Sequence, residues 1–119
     1  MNKELPEFLQ EVINKYPGLW ESYEGLGKAV GSVKGLDERS QRLVKLGIAI
    51  GSKMEGAVHS HTRKCKKAGI SDDEIYHCAL LGITTIGWPS AIAALSWIND
   101  VLKGRKSVQA RVNESKYRQ

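Results

Sequence analysis

The chain has little sulfur, and that decides its first exclusions. Two cysteines among 119 residues, Cys65 and Cys78, are too few for a disulfide framework. In a reducing compartment both are thiols, and each is explained by packing as a small core hydrophobe. No apolar run approaches the roughly 18 residues of a membrane span. The first seven residues, Met1-Asn-Lys-Glu-Leu-Pro-Glu, lack a basic segment followed by an apolar one, so no signal peptide is expected. A cytoplasmic setting and no membrane partner follow as expectations. Strand signals are missing too. No segment alternates at period two, and no Asn-Gly or Asp-Gly dipeptide marks a hairpin. There is no internal repeat and no long linker before residue 104.

What is present fits one soluble all-α domain over residues 1–104, with hydrophobic residues at 41% and charged ones at 26%. The net charge of +5 is uneven. Beyond Gly104, five basic residues stand against the single acid Glu114 and carry +4 of it. Residues 105–119 therefore read as a basic C-terminal tail. A near-neutral domain argues against a specific nucleic-acid partner.

Periodicity predicts about six helices. Residues 3–15 carry Leu5, Phe8, Leu9, Val12 and Ile13 at helical spacing. Pro17-Gly18 is expected to stop that helix. Gly25, Gly27 and Gly31 leave residues 19–31 either a helix or a short helix with an irregular continuation. Asp37 is a natural N-cap for a helix to about Lys53. In it, Gly47 and Gly51 sit four apart and would let a neighbouring helix approach closely. Glu55 to Ala68 forms the next helix, ended by Gly69. Ser71 and Glu74 make a capping box for a helix to about Ile86. That helix is apolar nearly all round and is expected to be central. Gly87-Trp88-Pro89 breaks it, and the last helix runs from Pro89 to about Lys103. Trp88 and Trp97 flank that helix and read as buried or interface anchors.

The densest chemistry lies in Glu55-Gly-Ala-Val-His59-Ser-His61-Thr-Arg-Lys-Cys65. Val58, His61, Cys65 and Ala68 read as one inward stripe. His61 titrates near neutrality and is the candidate acid–base residue, although a packed, hydrogen-bonded histidine explains it too. Cys65, one turn on, is a candidate nucleophile if His61 lowers its pKa. Cys78 would have to approach across the helix hairpin. Glu55 is a candidate carboxylate or a first-turn residue complementing the helix dipole. His59 is expected on another face, exposed or at a subunit contact. Glu55 and His59 have a spacing that can ligate a metal, with His77 as a third ligand. A surface pair is the commoner outcome, and neither a metal nor a cofactor is expected.

Three stretches carry a family resemblance: Leu36-Asp-Glu-Arg-Ser-Gln-Arg-Leu-Val-Lys-Leu, Glu55-Gly-Ala-Val-His-Ser-His-Thr-Arg-Lys, and Ala68-Gly-Ile-Ser-Asp-Asp-Glu-Ile. Gly87-Trp88-Pro89-Ser-Ala fits as well. Over roughly residues 20–103 the chain resembles the carboxymuconolactone decarboxylase-like family, which includes the alkylhydroperoxidase D proteins. The resemblance implies an all-helical subunit that assembles as a homo-trimer or homo-hexamer. The family's redox branch uses Cys-x-x-Cys, three residues and then His, aided by a Glu on the preceding helix. Here the His falls on His61, the cysteines on Met54 and Ala57, and the Glu on Arg42. The decarboxylase branch acts on a lactone acid without a redox cofactor and also carries a His near this position. A lactone carboxylate would need a cation, which Arg42 or Arg63 could supply.

Three functions follow as expectations. One is a cofactor-independent acid–base enzyme on a small organic acid or lactone, with His61 in its pocket. The second is a thiol peroxidase of peroxiredoxin type using Cys65 or Cys78 with His61. The third is a non-catalytic oligomeric binding protein that keeps the fold.

Overall fold

The computed structural model describes residues 5–104; the basic tail at 105–119 lies outside the described residues. Among them are six α-helices, one 3₁₀ turn and no strand. They form two compact units, which divide between Gly35 and Leu36.

The first unit is a helical hairpin of α1 (Glu7–Lys15) and α2 (Pro17–Gly31). Pro17 does not merely stop α1. It opens α2, because proline's fixed φ and missing N–H suit a first helical turn. α2 then runs unbroken through Gly25 and Gly27, so the glycines weaken the helix without interrupting it. Leu9, Val12, Ile13, Leu19 and Trp20 face one another along the hairpin. No described residue of α1 or α2 is buried, and Leu19, Tyr23, Leu26 and Val30 stand exposed.

The second unit holds α3 (Glu38–Gly51), α4 (Glu55–Lys67), α5 (Asp72–Leu80), the 3₁₀ turn Leu81–Thr84 and α6 (Trp88–Lys103). Local chemistry sets its boundaries. The Asp37 carboxylate accepts from the Ser40 backbone N–H, which caps α3. Ser71 and Glu74 close the reciprocal capping box on α5. Gly69, at φ +82°, takes the left-handed turn after α4 that a side chain would disfavour. The core joins Leu46, Ala49 and Ile50 of α3 to Val58 and Cys65 of α4, Ile75 and Ala79 of α5, and Ala94 and Ile98 of α6.

α5 departs from expectation in two ways. It ends at Leu80, and the chain tightens into the 3₁₀ turn rather than running on to Ile86. Nor is it central. Only Ile75 and Ala79 of α5 are buried, while Leu80 and Leu81 are about half exposed. No described helix is long and apolar enough to cross a membrane.

Candidate functional site

The buried face of α4 runs through Val58, Thr62 and Cys65. At about 100° per residue, Thr62 stands about 40° from Val58 and points inward, while His61 falls on the shoulder of that face. Ala68 is exposed and lies past the helix end. The inward stripe predicted through Val58, His61, Cys65 and Ala68 is thus corrected by one residue. His59 occupies the other shoulder and is buried, at 8% exposure, rather than exposed. Its Nε2 lies 3.0 Å from Asp100 Oδ2 and ties α4 to α6. A carboxylate only accepts, so Nε2 carries the hydrogen. That bond turns His59 toward α6. Among the described residues, no three His, Cys, Asp or Glu side chains are placed to hold a metal ion.

His61 is half-buried, within electrostatic reach of cations on α3 and α4. Burial lowers its pKa from the ordinary 6.5, and the charges of Lys64, Lys45 and Arg42 push in the same direction. Lys64 is lowered too, first by burial and then by Lys45, Arg42 and Arg63. Arg42 lies 3.3 Å from Glu38 one turn back, and its Nε is buried without a hydrogen-bond partner among the described residues. Of the candidates named from sequence, His61 therefore feels the charge of Arg42. Arg63 adds to the lowering of Lys64. Glu55 is exposed in the first turn of α4, where a carboxylate complements the helix dipole. Lys45 and Lys64 were missed. The readable signal was spacing: each lies three residues beyond a named candidate, Arg42 and His61, on the same helix face.

Cys65 is fully buried, and its thiol donates to the Arg42 carbonyl at 3.6 Å. Burial pushes that thiol up, proximity to Cys78 pushes it further, and Arg42 opposes weakly. Burial raises Cys78 as well. Both thiols are free and close enough to influence each other. Both are held away from the thiolate that a nucleophile needs.

A cleft of about 510 Å³ opens on the opposite side of α3. Leu43, Val44, Gly47, Ile50 and Gly51 line one wall, and residues of α5, the 3₁₀ turn and the segment after it, among them His77, Cys78 and Leu81, line the other. His61 is not in it. Nothing lies within 4 Å of where a Cβ on Gly47 or Gly51 would stand. Within the subunit these glycines open a cleft instead of admitting a close helix.

An all-helical unit with a histidine beside clustered cations is the class that this fold and site define. The chain belongs to the carboxymuconolactone decarboxylase family, whose sequence profile matches residues 17–100. It is also 33% identical over 95 residues to an uncharacterized protein of Methanocaldococcus jannaschii, an alignment covering 80% of this chain and 89% of that protein.

Proposed function

We propose that the chain is a cofactor-independent acid–base enzyme acting on a small organic acid or lactone, with His61 as the proton-transfer group. The observation that carries this reading is the setting of His61, partly buried on α4 with Lys64, Lys45 and Arg42 near enough for their charges to act on it. Burial first, and then the charges of Lys64, Lys45 and Arg42, disfavour the imidazolium, so the imidazole is held in the neutral form that can accept a proton. The same cations form a seat for a substrate carboxylate, with Arg42 able to bind it through its guanidinium fork. A bound carboxylate offsets their repulsion and raises the affinity of His61 for a proton. The imidazole then takes a proton from the substrate, and the surrounding positive charge favours its return to the product.

The thiol peroxidase reading is weaker, because burial holds Cys65 and Cys78 protonated. The non-catalytic binding reading draws on one observation, that His61 does not line the 510 Å³ cleft. Assembly as a homo-trimer or homo-hexamer, in the cytoplasm, completes the proposal. It is supported by the family relationship and by exposed apolar side chains on α2 and α3, Leu19, Leu26 and Ile48 among them.

The test is turnover of a panel of lactone acids, including a carboxymuconolactone, followed by ultraviolet absorbance. Replacing His61 by Asn should lower kcat by about 10²–10⁴-fold. Equal turnover by His61→Asn and the wild type, or no turnover by the wild type across the panel, overturns the reading.

A further inference from the structure

The cleft beyond α3 is lined by none of His61, Arg42, Lys45 and Lys64. Arg42, Lys45, Leu46 and Ala49 share the side of α3 that meets α4. Counted from Arg42, Gly47, Val44 and Gly51 lie about 140°, 160° and 180° around the same helix. One helix therefore has chemistry of two kinds on its two sides.

At about 510 Å³ the cleft has the size of a small-molecule site. Its wall is mainly apolar, and its polar groups are few. Glu74 is engaged by Arg39 and by the Ser71 cap. The Thr85 hydroxyl donates to the Leu81 carbonyl at 2.7 Å. His77 is exposed on the cleft wall, one turn beyond Glu74, and offers a ring nitrogen to a ligand. Such a wall does not compensate the dehydration of an anion, and the Glu74 carboxylate repels one.

We propose that the cleft between α3 and the α5–3₁₀ segment binds a small, neutral, mainly apolar molecule with one hydrogen-bonding group directed at His77. An alcohol, phenol, ketone or ester of ring or short-chain form has this chemistry. Gly47 and Gly51 leave the floor open for it, and Cys78 lies in the wall beside it. The site does not depend on the catalytic reading of His61.

The full chain is titrated with the neutral fluorophore N-phenyl-1-naphthylamine and with its sulfonated analogue, 8-anilino-1-naphthalenesulfonate. The neutral probe should saturate at one equivalent per chain and bind more tightly than the sulfonate. Gly47→Leu fills the floor. It should keep the fold, because open space receives the side chain and leucine favours a helix. It should weaken the neutral probe by about tenfold or more, the scale at which hydrophobic pockets discriminate by size. In a Cys65→Ala background, saturating probe should slow labelling of Cys78 by a thiol reagent. Undiminished binding by Gly47→Leu, unchanged Cys78 labelling, or tighter binding of the sulfonate each overturns the proposal. Loss of subunit assembly in Gly47→Leu overturns it as well, because the cleft is then a contact between copies.

Discussion

Replacing His59 with Leu should be among the most damaging changes to α4, and the reason is the carboxylate it leaves behind. The His59 and Asp100 side chains are 10% and 19% exposed, and their 3.0 Å bond spans 41 residues of sequence. A hydrogen bond to a charged group contributes about 1.5–3 kcal/mol, and stranding a mostly buried carboxylate adds to the loss. His59→Leu should therefore cost about 3 kcal/mol. Asp100→Leu should cost about 2 kcal/mol, because it strands an imidazole rather than a carboxylate. The double variant strands neither group, so the two losses should not add, and the coupling should be about 1–3 kcal/mol. Urea unfolding followed by tryptophan fluorescence reads this out at fixed protein concentration. With a slope of about 2 kcal/mol per molar urea, the His59→Leu midpoint should fall by about 1.5 M. Additive single losses, with coupling below about 0.5 kcal/mol, would show that the pair does not hold α4 to α6.

His61 supplies a prediction with a definite sign. Its folded pKa lies below the ordinary 6.5, so the unfolded chain takes up its proton first, and stability should fall as pH drops below 6.5 toward the folded value. Lys45→Gln or Lys64→Gln should move the His61 titration upward in an NMR experiment; a His61 that titrates above 6.5 in the wild type contradicts the cationic setting. Both thiols should alkylate more slowly than free cysteine at pH 7 and gain rate only as pH rises past the ordinary 9.0; a fast-reacting Cys65 would revive the peroxidase reading. Ser71→Ala should cost about 1 kcal/mol by opening the α5 capping box, a Tm loss of about 3–6 °C, and an unchanged Tm would mean the box adds nothing. Thr62→Val should be neutral or stabilising by about 1 kcal/mol, because the buried hydroxyl has no partner among the described residues; a comparable loss would reveal a partner for it.

What the sequence made legible was local. Asp37, Gly69, and Ser71 with Glu74 act through bonds or dihedrals within a few residues, so their roles could be read directly. The phase of α4 was harder, because its inward face includes the polar Thr62. An apolar stripe drawn through His61 looked as good as the real one. The His59–Asp100 bond could not be read at all, since nothing in 41 residues of separation marks the two as partners. The early end of α5 depends on how the segment from Leu81 to Ile86 packs. There Gly82 is buried, and Thr85 and Ile86 both donate to its carbonyl.

The cationic setting of His61 was half legible, and the hidden half carries its meaning. Arg42 and His61 drew notice as residue types; Lys45 and Lys64 looked like ordinary surface lysines. Folding brings the three cations within electrostatic reach of His61, and of the three only Arg42 has an acid paired with it among the described residues. Glu38 pairs with Arg42, Asp72 with Lys66, and Asp100 with His59. Among the described residues, neither Lys45 nor Lys64 has an acidic ion-pair partner. A fold optimised only for stability would place a carboxylate between α3 and α4, or leave the lysines apart in water. Burial first, and then like charge from lysines without an acidic partner, lowers both a lysine and a histidine, which is a local violation of that rule. Such violations concentrate at functional sites, and the carboxylate of the proposed substrate would bring the opposite charge.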